Sequence, residues 1–301
     1  MPAPGDIPAA LSKGPFRVDE AARFGVTHRR LAGKRFRRIF HRVYVSADVP
    51  DSVELRCQAA LLLVPHGAVF CGTTAARLYG VPLAETDTDV HLALPPGTTP
   101  LPRIQGIALH RYRLTLDQIR RVRGFHAVRP ERLFVELAAE LDRLGLVIAG
   151  DHLLGRGWTD LDTLARSVAA CGQRPGIALA RAALPHLEPK TDSPMETRLR
   201  MIIVDAGLPR PVANRDAFGP GGIWIARPDL AYPDSKIAID YEGAHHRMDA
   251  RQYRSDLIRD DQLAVNGWIH LKYDAAAVFR TPTRIVSDID DALRRRRVTP
   301  P

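Results

Sequence analysis

The feature that most constrains this chain is a set of carboxylates arranged around one tight turn near residue 234. Two extended segments, residues 223–232 and 237–242, flank Pro233-Asp-Ser-Lys, a turn-forming tetrapeptide. If that turn closes a hairpin, Tyr232 faces Ile237, and counting outward sets Asp229 opposite Asp240. Glu242 stands two residues beyond Asp240, so both side chains leave the same side of the strand, while Ile237, Ile239 and Tyr241 line the other. Two carboxylates about 4 Å apart, at an effective dielectric near 20, repel by roughly 4 kcal/mol. A divalent cation, a shared proton or an arginine reaching in has to offset that. A small hard cation, Mg2+ or Mn2+, with Asp229, Asp240 and Glu242 as oxygen ligands is the chemically natural answer. The alternative is a shifted hairpin with one acid in solvent.

The flanks of the hairpin extend the pattern. Ser193-Pro-Met-Glu opens a helix with an N-cap serine, a proline at the first helical position and Glu196 completing a capping box; Gly207 ends it. The cap is a sufficient explanation for Glu196 on spacing alone. Residues 212–216 form a first extended segment, ahead of 223–232 and 237–242. A helix follows over 249–265 with Tyr253, Leu257 and Ala264 toward the core and Arg254 and Arg259 facing a phosphate. A fourth strand over 268–273, a helix over 284–293 and a solvated Arg294–Arg297 tail complete an α-β-β-β-α-β order.

Four spaced segments in this region, Ser193-Pro-Met-Glu-Thr-Arg-Leu-Arg, Arg227-Pro-Asp-Leu-Ala-Tyr-Pro, Ile237-Ala-Ile-Asp-Tyr-Glu-Gly-Ala-His-His and Asp256-Leu-Ile-Arg-Asp-Asp-Gln-Leu-Ala-Val-Asn-Gly-Trp, resemble a bacterial family similar to the very-short-patch mismatch repair endonucleases, within the PD-(D/E)XK superfamily. The resemblance spans residues 193–293. It implies a restriction-endonuclease-like core, with Asp229 and Asp240 as the two motif acids, Glu196 as the acid from the first helix and His246 as the histidine after the glycine. The implied activity is metal-dependent hydrolysis of DNA phosphodiesters, with His246 positioning water or protonating the leaving oxygen; a satisfied structural histidine is the alternative at that position. Two departures stand out. Glu242 occupies the position where the superfamily carries lysine, leaving His245 or His246 to orient water, and Asp240 is one methylene shorter than the usual glutamate.

Charge sets the expectation for the other end. Residues 11–50 hold ten Lys or Arg against three acids, within a chain whose net charge is +9. Arginine dominates throughout, at 38 residues against 5 lysines, but that bias does not explain the clustering. The segment 17–36 has a helix–turn–helix layout: Ala21, Ala22 and Phe24 form one apolar side, Gly25-Val26 the turn, and Thr27 the cap of a second helix that points Leu31 inward. Two short strands after it, with Ile39, Val43 and Val45, make a wing. The winged helix places His28, Arg29, Arg30, Lys34, Arg35, Arg37, Arg38 and Arg42 against DNA; a three-helix adaptor with a solvated basic side is the bland alternative. This segment resembles the start of the type IV abortive-infection antitoxins over about 40 residues.

Residues 51–189 alternate helical and extended character, with helices over 53–64, 73–79, 132–144, 161–170 and 176–183 and strands over 90–94 and 107–112. His91, His110, His126 and His152 have no metal-ligand spacing, so the region reads as a scaffold without chemistry. The expected fold class is therefore α/β, or α+β multidomain: a winged helix over 8–50, a mixed α/β region over 51–189 and an endonuclease-like domain over 190–298. No apolar run approaches the roughly 20 residues needed to span a bilayer. The N-terminus lacks a signal-peptide layout, and three cysteines without CxxC spacing fit a reduced, cytoplasmic protein. The functional expectation is a DNA endonuclease targeted by its own winged helix, with a homodimer compatible with that reading. The alternative is a DNA-binding or antitoxin-like regulator whose nuclease fold is silent.

Overall fold

The computed structural model describes residues 7–83, 87–99, 103–243 and 250–298, with the side chains of 250–257 and 298 outside the description. The chain is mixed α/β and divides into two compact units. One comprises residues 1–140 and 170–177, the other 141–169 and 178–301. The division expected from sequence set its boundaries at 50/51 and 189/190. Residue 51 lies inside the first unit, and the 189/190 boundary lies inside the second.

In the first unit, β1 (Phe16–Arg17), β2 (Phe36–Phe40) and β3 (Val43–Ser46) form a three-stranded antiparallel sheet in the order β1-β3-β2. Helices α1 (Val18–Arg23) and α2 (His28–Leu31) lie between β1 and β2 in sequence. Gly25, at φ +71°, supplies the left-handed turn between the helices, and the Thr27 hydroxyl caps α2 by accepting from the Arg30 N–H at 3.4 Å. Leu11, Phe16, Ala21, Val26, Leu31, Phe36 and Tyr44 pack beneath. Phe24, expected in that core, is 47% exposed, because α1 ends at Arg23 and turns it outward.

The same unit contains α3 (Val53–Leu61), β4 (Val69–Phe70), α4 (Gly72–Tyr79), β5 (Val90–Leu94), β6 (Ile107–Arg111), β7 (Ile119–Val122), β8 (Phe125–Val128) and α5 (Pro130–Leu137). Its five-stranded sheet runs β6-β5-β4-β8-β7, with β5/β6 and β4/β8 parallel. The β7–β8 hairpin was not foreseen from sequence. The helix expected over 132–144 instead ends at Leu137.

The second unit holds α6 (Arg143–Gly155), most of α7 (Leu161–Ala170) and α8 (Ile177–Ala183), then α9 (Pro194–Asp205). After α9 come β9 (Val212–Ala213), β10 (Ala217–Phe218), β11 (Trp224–Ala226), β12 (Leu230–Tyr232), β13 (Ile237–Glu242), α10 (Ala250–Val265), β14 (Ile269–Asp274), α11 (Ala275–Arg280) and α12 (Pro282–Val298). The main sheet runs β14-β13-β12-β9, with β13 and β14 parallel and the other pairs antiparallel. The single strand expected over 223–232 is two strands. β11 pairs with β10, and Pro228, which has no N–H to give a ladder, separates it from β12. Leu199, Ile203, Leu230, Ile237, Ile239, Tyr273, Ile285 and Ile289 form the core on one side of the main sheet. A smaller cluster joins Ala231 and Ala238 to Ile225, Leu263 and Trp268. The arginines expected as a solvated tail belong to the last turns of α12, where Arg294 pairs with Asp290 at 2.6 Å and Arg296 donates to the Gly267 carbonyl.

A buried ion pair ties α6 to α9. Arg200 and Asp151, with side chains 0% and 2% exposed, meet at 2.6 Å. Arg200 also donates to the His186 carbonyl, and Asp151 accepts from the Thr197 hydroxyl and the Glu188 N–H. Among the described residues no helix is long and apolar enough to cross a membrane.

Candidate functional site

The hairpin register is the one the turn demands: Tyr232 opposes Ile237 and Leu230 opposes Ile239, which carries Asp229 to the level of Asp240. Lys236 closes the turn at φ +49°. The two acids grip each other's strands. The Asp229 N–H donates to Asp240 Oδ1 at 2.9 Å, and the Tyr241 N–H donates to Asp229 Oδ2 at 2.8 Å.

Neighbouring elements then crowd Asp240. From α10, Arg259 donates its Nη2 to Asp240 Oδ2. From the parallel strand β14, His270 places Nε2 2.6 Å from the same oxygen. Burial alone would raise the Asp240 carboxyl, but the His270 hydrogen bond and the Arg259 charge outweigh it and hold the group below its usual range. Asp229 goes the other way. Burial, followed by the charge of Asp240, lifts it to about 7. The repulsion anticipated from spacing is thus resolved by an arginine on one acid and a readily held proton on the other.

Glu242, the expected third ligand, has its partner among the described residues on β14. It lies at the exposed end of β13, with its Oε1 3.6 Å from Lys272 Nζ. Lys272 stands beside Asp240 in the β13/β14 register and also bonds Asp260 at 2.6 Å. Burial opposes its charge, but the Asp260 hydrogen bond prevails and raises its pKa. Glu196 is buried and does work as a cap, although its Oε2 accepts from the Asp192 N–H rather than from Ser193. The Asn214 amide donates to that oxygen at 2.7 Å. Burial raises the Glu196 carboxyl, and its charge is felt at Asp229. His245 and His246 lie outside the described residues, as do the side chains of Tyr253, Arg254 and Leu257.

Two opposed carboxylates are a hard-oxygen donor set suited to Mg2+ or Mn2+, which commonly bind through one or two carboxylates plus waters. Three buried polar atoms without hydrogen-bond partners, Arg259 Nε, Asp260 Oδ1 and His270 Nδ1, gather beside them. Although His270 Nδ1 and Asp260 Oδ1 are 2.9 Å apart, they are not aligned for a hydrogen bond. The residues present therefore fit a dication on Asp229 and Asp240. Among the described residues, no three His, Cys, Asp or Glu side chains cluster as a ready metal cage.

Sequence reasoning named neither His270 nor Lys272 and gave Arg259 only a phosphate-facing role. It also dismissed His91 and His110. In the first unit these lie on the adjacent parallel strands β5 and β6, with His91 Nδ1 2.9 Å from His110 Nε2 and His91 Nε2 2.6 Å from Asp87 Oδ2. His110 borders a cavity of about 410 Å3, where Glu136 accepts from Tyr112, Arg132 and the Gly72 N–H. Gly72, at φ +51°, has no side chain to press on His91. Only the sheet pairing reveals this juxtaposition.

Of the basic residues assigned to DNA, His28, Arg29, Lys34, Arg35, Arg38 and Arg42 are exposed, and Arg30 and Arg37 are half-buried. Arg42 is bound to Asp19 at 2.5 Å. Arg37 is committed to Asp51 and to the Val49 carbonyl. These two side chains thus have partners within the chain, and the other six lie on α2, its C-terminal flank and β2.

No family model matches the chain. The solved structure of the RV2827C protein from Mycobacterium tuberculosis matches at a TM-score of 0.37 and 16% identity, over 67% of this chain and 77% of that one, too distant a likeness to carry an argument. Two Mycobacterium tuberculosis sequences, the uncharacterized proteins MT2308 (strain CDC 1551 / Oshkosh) and Rv2248 (strain ATCC 25618 / H37Rv), are each 30% identical over 262 residues, covering 87% of this chain and 93% of theirs. The chain belongs to the same family as these mycobacterial proteins.

Proposed function

We propose that this protein is a metal-dependent DNA endonuclease of PD-(D/E)XK type, with a winged helix at its N-terminus for DNA contact. The observation that carries the reading is the opposition of Asp229 and Asp240 on adjacent strands, where burial and then the Asp240 charge lift the Asp229 carboxyl to about 7. The α-β-β-β-α-β order of the second unit supports it, provided the small β10–β11 pair is set aside. The β1-α1-α2-β2-β3 order with its exposed basic side chains supports the winged helix.

Asp229 and Asp240 would hold Mg2+ or Mn2+, which lowers the pKa of bound water and polarises a phosphate oxygen. The chain's own residues do the rest. His270 fixes Asp240 by its hydrogen bond, Lys272 brings a cation to the face that lacks lysine at position 242, and Arg259 supplies a guanidinium suited to a phosphate. Glu196 and Asn214 brace the start of β12, since the Asn214 N–H also donates to the Asp229 carbonyl.

A second reading, a DNA-binding regulator with a silent nuclease fold, is favoured by one specific observation: Arg259 and His270 already satisfy Asp240 without any metal. Incubation of the whole chain with plasmid and Mg2+ or Mn2+, beside an Asp229→Ala/Asp240→Ala variant, separates the two. Nicking by the wild type alone is the expected result. DNA retention without cleavage in either protein would leave the regulator.

A further inference from the structure

Both oxygens of Asp240 are engaged. Oδ1 takes the Asp229 N–H, while Oδ2 takes both Arg259 and His270. A divalent ion on Asp240 therefore competes with a resident donor. The three donors are not equally able to leave. The Asp229 N–H is fixed by the strand. His270 is held from inside the sheet, its side chain only 10% exposed. Arg259 rises from a helix, its side chain is 32% exposed, and among the described residues its Nε has no partner. Its departure also removes the permanent guanidinium charge from Asp240, a charge that a dication would otherwise have to tolerate at close range.

Resting on the endonuclease reading, we infer that Arg259 is a resident counter-cation: it neutralises Asp240 while no metal is bound, yields Oδ2 to a divalent ion, and is then free to meet a phosphate oxygen of the DNA. The same side chain explains why buried Asp240 is tolerated opposite half-buried Asp229 in the unliganded fold. Removing one partner of such a pair leaves an uncompensated charge, so Asp240 needs some cation at every stage.

The test is Mn2+ binding to the whole chain without DNA, read from the electron paramagnetic resonance signal of free Mn2+. Arg259→Gln keeps a hydrogen-bonding amide but removes the charge, and is expected to bind Mn2+ about tenfold more tightly than the wild type, a gain of about 1.4 kcal/mol. Arg259→Lys, which keeps the charge without the planar fork, is expected between the two and serves if the glutamine variant does not fold. Lys272→Gln removes an equal charge from the same face without freeing Asp240, and is expected to change affinity by less than about threefold. Asp240→Asn is expected to abolish binding. Equal affinity in the wild type and Arg259→Gln, or an equal gain in Lys272→Gln, overturns the inference and leaves the endonuclease reading standing. Absence of Mn2+ binding at millimolar concentration in every variant overturns both.

Discussion

The Arg200–Asp151 pair makes the sharpest demand on stability. In Arg200→Met, Asp151 keeps the Thr197 hydroxyl at 2.8 Å and the Glu188 N–H at 2.6 Å, but loses a cation at 2.6 Å in a site with no access to water. The His186 carbonyl loses its donor as well. Breaking a buried pair from one side costs about 3–5 kcal/mol. For a unit of this size that corresponds to a fall of roughly 10 °C in Tm. Burial already raises the Asp151 carboxyl even with Arg200 beside it, so the variant has a partial escape by protonation. A raised folded-state pKa gives stability that is present at low pH and lost as pH rises through it. The deficit should therefore be largest near pH 8 and shrink toward pH 5.

All three tryptophans, Trp158, Trp224 and Trp268, lie in the second unit, so tryptophan fluorescence during urea denaturation reports that unit selectively. The double variant Arg200→Met/Asp151→Leu is the control, since removing both charges should recover most of the loss. A single-variant loss below about 1 kcal/mol, or a double variant no better than the single, would refute the reasoning and reassign the effect to packing.

Other expectations follow from the same geometry. Asp229→Asn should stabilise the metal-free protein on the order of 2 kcal/mol at pH 8 and far less at pH 5, because the raised carboxyl loses its stabilising proton as pH climbs through about 7; parallel thermal melts that show no pH dependence would contradict this. Gly176→Ala should cost the first unit more than about 2 kcal/mol, since its φ is +78° and a Cβ would sit 2.4 Å from the Ala138 carbonyl; an unchanged urea midpoint by far-ultraviolet circular dichroism would count against it. Arg29→Ala/Lys34→Ala should flatten the salt dependence of DNA binding by about 0.9 log units for each phosphate no longer neutralised, and an unchanged slope in filter binding would remove α2 from the DNA interface.

What the sequence disclosed was local. The Pro233–Lys236 turn fixes a register, so the opposition of Asp229 and Asp240 could be counted out by hand. Ser193 and Thr27 announced helix starts through chemistry confined to three residues. What remained hidden depended on pairing between distant segments. β14 lies beside β13 with a whole helix between them in sequence, so nothing near Asp240 announces His270 or Lys272. Arg259 read as an outward cation because helical periodicity says which way a side chain leaves the axis, not which acid it finds. Glu242 is drawn to Lys272, a partner that local spacing does not disclose. The relay from Asp87 through His91 to His110 was missed for the same reason.

The interleaving of the two units has a consequence for biosynthesis. The polypeptide leaves the first unit after Glu140, contributes α6 and most of α7 to the second, and returns only for residues 170–177. Gly176, whose seat against Ala138 admits no side chain, is thus among the last pieces the first unit receives. At ribosomal rates of roughly 5–20 residues per second, that unit waits about 2–7 s after Glu140 is made before its closing segment is translated. A stop codon at residue 140 would strip the unit of that segment permanently, and restoring it would require fusing residues 170–177 behind Glu140 through a linker.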